Sequence, residues 1–160
     1  MNPFLPQDLF PVSGTAPVTT NGGVTCDNIS LKLAEMVWIE VRLTQAVGHA
    51  TVLSPLVGTA VATCATAIPA AVPIWYGVVT TATNAIAAQT AATTLTLGGS
   101  VTGDVIVIFQ IDPAVLGSSY DCLGFTLSNS SQATNLVSVT YWIKPKYASS
   151  AANQQSYIVD

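Results

Sequence analysis

The sequence predicts an all-β domain, an antiparallel β-sandwich of jelly-roll type with an extended N-terminal arm and an extended C-terminal tail. Three observations carry the prediction. Val105–Ile143 reads VIVIFQIDPAVLGSSYDCLGFTLSNSSQATNLVSVTYWI, three strand-like runs joined by two polar connections. Val37–Gln45 alternates strictly, with Val37, Ile39, Val41 and Leu43 on one side. Across the chain, about seven to nine short strands separated by turn signals have the spacing of a sandwich or jelly roll. The expected boundaries are an arm over residues 1–23, a sandwich over 24–147 and a tail over 148–160.

A chain of 160 residues fits one domain that buries a real core without metal or disulfide staples. Only 8 % of its residues are charged, against roughly 25 % in an average soluble domain. The surface must therefore be built of Ser, Thr, Asn, Gln and Ala, which repels itself little and suits life in an assembly. Lys32, Arg42, Lys144 and Lys146 are the whole basic complement and the net charge is −4, so nucleic-acid binding is excluded as an expectation. Cys26, Cys64 and Cys122 are odd in number and widely spaced, which suits reduced buried thiols. His49 is the sole histidine and no cysteine pair has ligand spacing, so neither metal nor cofactor is expected. The first basic residue is Lys32 and Pro3, Pro6 and Pro11 interrupt the apolar start, unlike a signal peptide, and cytoplasmic synthesis is expected. Val52–Val79 is the most apolar window, but Pro55, Pro69, Pro73, Gly58 and Gly77 argue against a membrane helix.

Taken in order, residues 1–23 alternate the apolar pairs Phe4-Leu5 and Leu9-Phe10 with prolines, which fix φ and remove donors, so an extended arm is expected. Such an arm packs on its own domain, a neighbouring subunit or a host surface. The second side of the Val37–Gln45 strand carries Trp38, Glu40, Arg42 and Thr44, where Glu40 and Arg42 at i and i+2 form an ion pair or a subunit contact. Val47-Gly48-His49 is a turn, and a strand over 50–56 is expected to pair back as a hairpin. Pro73–Val79 is a short strand that points Trp75 and Tyr76 to opposite faces, one core and one surface. Asn84–Ala92 has the alanines of a helix without charges or caps, and its Thr-rich flanks lean toward strand. Gly98-Gly99-Ser100 ends the strand of Thr93–Leu97.

Val105–Ile111 is apolar at almost every position, as expected of a central strand covered on both faces. Asp112-Pro113 with Gly117 at the exit encodes one capped helical turn, which accounts for Asp112 as a cap. Leu123, Phe125 and Leu127 share one face of the next strand, and Cys122 on the other reads as a packed, inert thiol. Val137, Val139, Tyr141 and Ile143 give the last strand its buried face. The tail ends in Tyr157-Ile158-Val159, an apolar patch suited to docking on another surface.

No paired carboxylates, phosphate loop or nucleophile elbow appears, so no catalytic residue is assigned and an enzyme is not expected. An enzyme would need a deep pocket gathering Asp104, Asp112 and His49.

The runs VWIEVRLTQAVGHATVLSPLVGT, PIWYG, VIVIFQIDPAVLGSSYDCLGFTLSNSSQATNLVSVTYW and the terminal YIVD resemble small virion structural proteins of tailed bacteriophages, of the capsid decoration (cement) type. FQIDPAVL, YDC and IVD are the most specific pieces, and the arm before residue 24 lies outside the match. The resemblance implies a β-rich subunit, a homotrimer, bound on the outer capsid of the virion and bridging neighbouring major capsid proteins. The expected contact residues are Phe4, Leu5, Leu9 and Phe10 of the arm, Trp38, Glu40 and Arg42 of the sandwich, and Tyr157, Ile158 and Val159 of the tail. The stretch Thr80–Ser100 is almost uncharged, which departs from the family's charged middle connections. The alternative is a receptor- or glycan-binding module of a head fibre or tail, stacking sugars on Trp38 or Trp75.

Overall fold

Buried and outward positions alternate along the long strands, so each gives one row of side chains to a shared core. The computed structural model describes residues 8–147 and 156–158. The strands are β1 (Phe10–Thr19), β2 (Val24–Thr25), β3 (Ile29–Ser30), β4 (Ala34–Gln45), β5 (Thr51–Gly58), β6 (Thr66–Ala67), β7 (Val72–Val79), β8 (Ala87–Ala92), β9 (Leu95–Leu97), β10 (Gly103–Ile111), β11 (Cys122–Leu127) and β12 (Leu136–Pro145). Single 3-10 turns occupy Val61–Thr63 and Pro113–Leu116.

One sheet runs β1-β12-β4-β10-β7-β8; the other runs β2-β11-β5-β6, with β3 also on β11 and β9 also on β5. Every pairing is antiparallel, and the two sheets make a β-sandwich. Pairing proceeds inward from the ends of the sequence: β1 with β12, β2 and β3 with β11, β4 with β10, β5 with β9. The chain is one long hairpin rolled so that its strands divide between two sheets, the jelly-roll arrangement. The β7–β8 hairpin is added outboard of β10 and widens the first sheet.

The core joins the sheets through Phe109 and Phe125, whose rings meet edge to face at 5.6 Å. Tyr141 is fully buried and its hydroxyl donates to the Asp27 carbonyl at 2.9 Å. A Cβ on Gly14 would sit 2.7 Å from the Tyr141 ring, so a residue without one lets β1 pass over it. Asp112 caps its turn as the sequence predicts, Oδ1 accepting from the Ala114 amide at 2.9 Å.

Four expectations change. The sandwich begins at Phe10 and not at residue 24, because Phe10–Thr19 pairs with β12 as an edge strand. Register shifts between Ser13 and Thr15 and between Thr15 and Val18, together with the edge position, accommodate Pro11 and Pro17. β5 does not fold back on β4: Asn135 holds Val47 through both its amide and its carbonyl, at 2.9 and 2.7 Å, and the chain crosses to the other sheet. The tail returns to the domain at Tyr157, which is 3 % exposed, lies 5.7 Å from the Phe10 ring and accepts from the Ser30 amide through its carbonyl. Finally, β10 is central in its sheet but, among the described residues, buried on one face, with Ile106 and Ile108 half-exposed on the other.

Candidate interaction surface

Alternation in β4, β10 and β12 places every second side chain on the outer face of the larger sheet. Register then sets these side chains in rows. Trp38 lies beside Gln110 on one side and Trp142 on the other, and Pro11 follows Trp142. In the adjacent row Trp75 neighbours Ile108, Ile108 neighbours Glu40, and Glu40 neighbours Thr140. All three tryptophans of the chain therefore stand half-exposed on one face. Leu9, Trp38, Glu40, Ile108 and Trp142 wall a groove of ≈ 390 Å³ there. Leu9 precedes the edge strand β1 yet shares this groove with Ile108 of β10, so the chain at that point lies over the outer face.

The charged groups of the face are already engaged. Arg42 Nε donates to Glu40 Oε1 at 2.5 Å, and Trp142 Nε1 donates to Glu40 Oε2 at 2.6 Å. Glu40 thus has both oxygens occupied at the groove wall, while Arg42 stays 67 % exposed in its side chain. Toward the ends of the face Lys144 meets Glu35 at 2.9 Å and Thr44 donates to Asp104 at 2.7 Å. The result is an apolar groove with the paired Glu40 in its wall and further engaged charges toward the ends of the face.

Of the contact residues expected from the sequence, Leu9, Trp38, Glu40 and Arg42 come together on this face. Phe10 and Tyr157 instead pack on each other as part of the domain, because the tail closes over the start of β1. Ile158 is exposed, 56 %, away from that cluster's core, and Phe4, Leu5 and Val159 lie outside the described residues. Sequence reasoning missed Ile106, Ile108 and Trp142. The signal was present: Trp142 occupies the outward phase of the last strand, between Tyr141 and Ile143.

Two of the residues an enzyme would have to gather are held apart. Asp104 and Asp112 lie at opposite ends of β10, roughly 25 Å apart at the rise of a strand. His49 belongs to the turn after β4 and its Nδ1 lies 2.8 Å from the Ala50 carbonyl. A second cavity, of ≈ 530 Å³, is lined by Glu35, Asp112, Asp121, Lys32 and Lys146 among others. In it Asp112 serves as a cap, and Lys32 approaches Asp121 at 3.7 Å. Among the described residues no group of three or more His, Cys, Asp or Glu is placed to hold a metal.

The thiols are packed groups. Cys26, Cys64 and Cys122 are buried thiols. Burial, and then the neighbouring Asp27 carboxylate, pushes Cys26 up to about 12; burial and the adjacent Cys122 push Cys64 higher still. Among the described residues no helix is long and apolar enough to cross a membrane. No protein-family profile matches the chain, and no curated protein or solved structure matches it.

Proposed function

We propose that the chain is a capsid decoration (cement) protein, binding the outer surface of a tailed-bacteriophage shell and bridging neighbouring major capsid proteins. The observation that carries this reading is the apolar outer face of the larger sheet, half-exposed among the described residues. β10 has the composition of a strand buried on both sides, yet Ile106 and Ile108 look outward among Trp38, Trp75 and Trp142. An apolar patch of this kind on a subunit marks a contact surface. Pairing of Glu40 within the face and of Glu35 and Lys144 toward its end lets it lie against another protein without stranding an ion.

A partner that binds only the assembled shell stabilises that shell by mass action, which needs contact area and no reaction centre. The sequence resemblance supplies the partner, the major capsid protein, and a homo-oligomer, a trimer in such proteins. The jelly-roll frame is neutral here, since it occurs in capsid and lectin domains alike.

The rival reading, a glycan- or receptor-binding module, draws on the same tryptophans. A sugar site needs polar groups turned toward hydroxyls. In the groove that part falls to Glu40, whose two oxygens are already taken by Arg42 and Trp142. A protein surface fits better.

The test is addition of purified protein to shells assembled without it, with bound copies counted by mass spectrometry. Saturation at a number matching the capsomers supports decoration. Saturation at a single vertex or tail, no binding to the shell, or saturable binding to host polysaccharide in its place overturns it.

A further inference from the structure

Two of the three cysteines meet on the far side of the smaller sheet from its core. Cys122 and Gly124 lie two residues apart in β11 and so share one face of that strand. Cys64 Cβ lies 3.4 Å from where a Cβ on Gly124 would stand, so its side chain starts over the same face. In the neighbouring strand Gly58 pairs with Cys122, and a Cβ on Gly58 would fall 2.8 Å from Cys64 Cα and 3.1 Å from Cys122 Sγ. Both residues therefore crowd one point, which a glycine leaves open. The thiols hydrogen-bond to one another. Cys64 Sγ also approaches the Leu56 carbonyl at 3.6 Å, and Cys122 Sγ the Ala60 carbonyl at 3.0 Å.

We infer that Cys64 and Cys122 form an intramolecular disulfide when the protein meets an oxidising medium, fastening the turn at Val61–Thr63 and Cys64 to β11. Bonded sulfurs sit about 2 Å apart, so the contact closes by side-chain rotation and a small shift of the turn. The turn has no side-chain cap to hold it rigid. Cys26 is the wrong partner for Cys122: its amide donates to the Phe125 carbonyl, three residues along β11 and roughly 10 Å away at the rise of a strand.

The oxidant is a low-molecular-weight disulfide such as oxidised glutathione. Cys64, 7 % exposed against 0 % for Cys122, loses its proton and attacks one sulfur of the reagent. The reagent's S–S bond breaks and one glutathione leaves as a thiol. Cys122 then gives up its proton and attacks Cys64 Sγ of the mixed disulfide, releasing the second glutathione. Two electrons pass from the cysteine pair to the reagent, and the two protons end on the released thiols. Burial keeps the Cys64 thiol protonated near neutral pH, so the exchange is slow there and proceeds through local opening of the turn. The bond stands independently of what the outer face of the larger sheet binds.

The test uses the full chain, purified reduced and then incubated with oxidised glutathione at neutral and alkaline pH, with and without denaturant below the unfolding transition. Remaining thiols are alkylated with iodoacetamide and the peptides mapped by mass spectrometry without reduction. The expected result is alkylation at Cys26 alone and a linked pair of peptides carrying Cys64 and Cys122, with a higher denaturation midpoint than the reduced protein. Cys26→Ala is expected to form the same link; Cys64→Ala is expected to form none and to keep its midpoint when the reagent is added. Alkylation of all three cysteines under every condition, a link through Cys26, glutathione retained on Cys64, or a linked form no more stable than the reduced one each overturns the inference.

Discussion

β11 is closed on both faces, whereas β10 is closed on one. Behind β11, the turn at Val61–Thr63 and Cys64 fold down: Cys122 Sγ donates to the Ala60 carbonyl at 3.0 Å, and Asn28 Nδ2 donates to the Val61 carbonyl at 2.7 Å. Gly58 and Gly124 lack the Cβ that would collide there, at Gly58 with the Thr63 carbonyl 2.6 Å away and at Gly124 with Asn28 Oδ1. Behind β10 the described chain supplies Leu9 at one end of the groove and no comparable layer. Two apolar central strands thus differ in what covers them: β11 is finished by its own chain, and β10 keeps Ile106 and Ile108 half-exposed on its outer face. That difference is what makes the outer face of the larger sheet the candidate for function.

The comparison breaks most readily by truncation. Phe125→Ala, on the closed strand, should lower unfolding free energy by about 3–5 kcal/mol, whereas Ile108→Ala on the open face should change it by no more than about 1 kcal/mol. Chemical denaturation measures both, and equal losses would mean that β10 is as covered as β11. Next in size, Gly124→Ala should cost about 1–3 kcal/mol by overpacking against Asn28, read in the same denaturation series.

The thiols sharpen the same contrast. In the fold Cys26 holds its proton up to about 12, whereas in the unfolded chain it ionises near its ordinary 9.0. Above that value the unfolded state binds fewer protons than the folded state, so stability falls as pH rises. Cys64 and Tyr141 are raised in the same direction by burial. Unfolding midpoints should therefore show no loss from these groups between pH 7 and 8.5 and decline above about 9; a midpoint rising through that range would contradict the packing assigned to them. The smallest expected effect belongs to the open face: Arg42→Ala should cost under about 1 kcal/mol, since the guanidinium is largely in solvent.

How much of this was legible in the sequence depends on whether the signal was local. The strict alternation of Val37–Gln45 placed Trp38, Glu40 and Arg42 on the outward side, and the Asp112-Pro113 pair announced its capped turn, because both are decided within a few residues. The start of the sandwich was not legible, because Pro11 and Pro17 read as a free arm until register shifts seat them on β12. Nor was the partner of β5, which Asn135, far away in sequence, sends to the other sheet. The continuous apolar run of β10 reads as doubly buried, because local apolarity carries no record of which tertiary layers lie over a strand. Trp142 joined the site only when pairing with β4 put it beside Trp38.

The most direct measurement is oxidative footprinting of the tryptophans on free protein and on shell-bound protein at matched concentration. Trp38, Trp75 and Trp142 should lose most of their reactivity on the shell while exposed Tyr147, outside the face, keeps its own. Tryptophans that react equally in the free and bound states would contradict the assignment of this face as the docking surface.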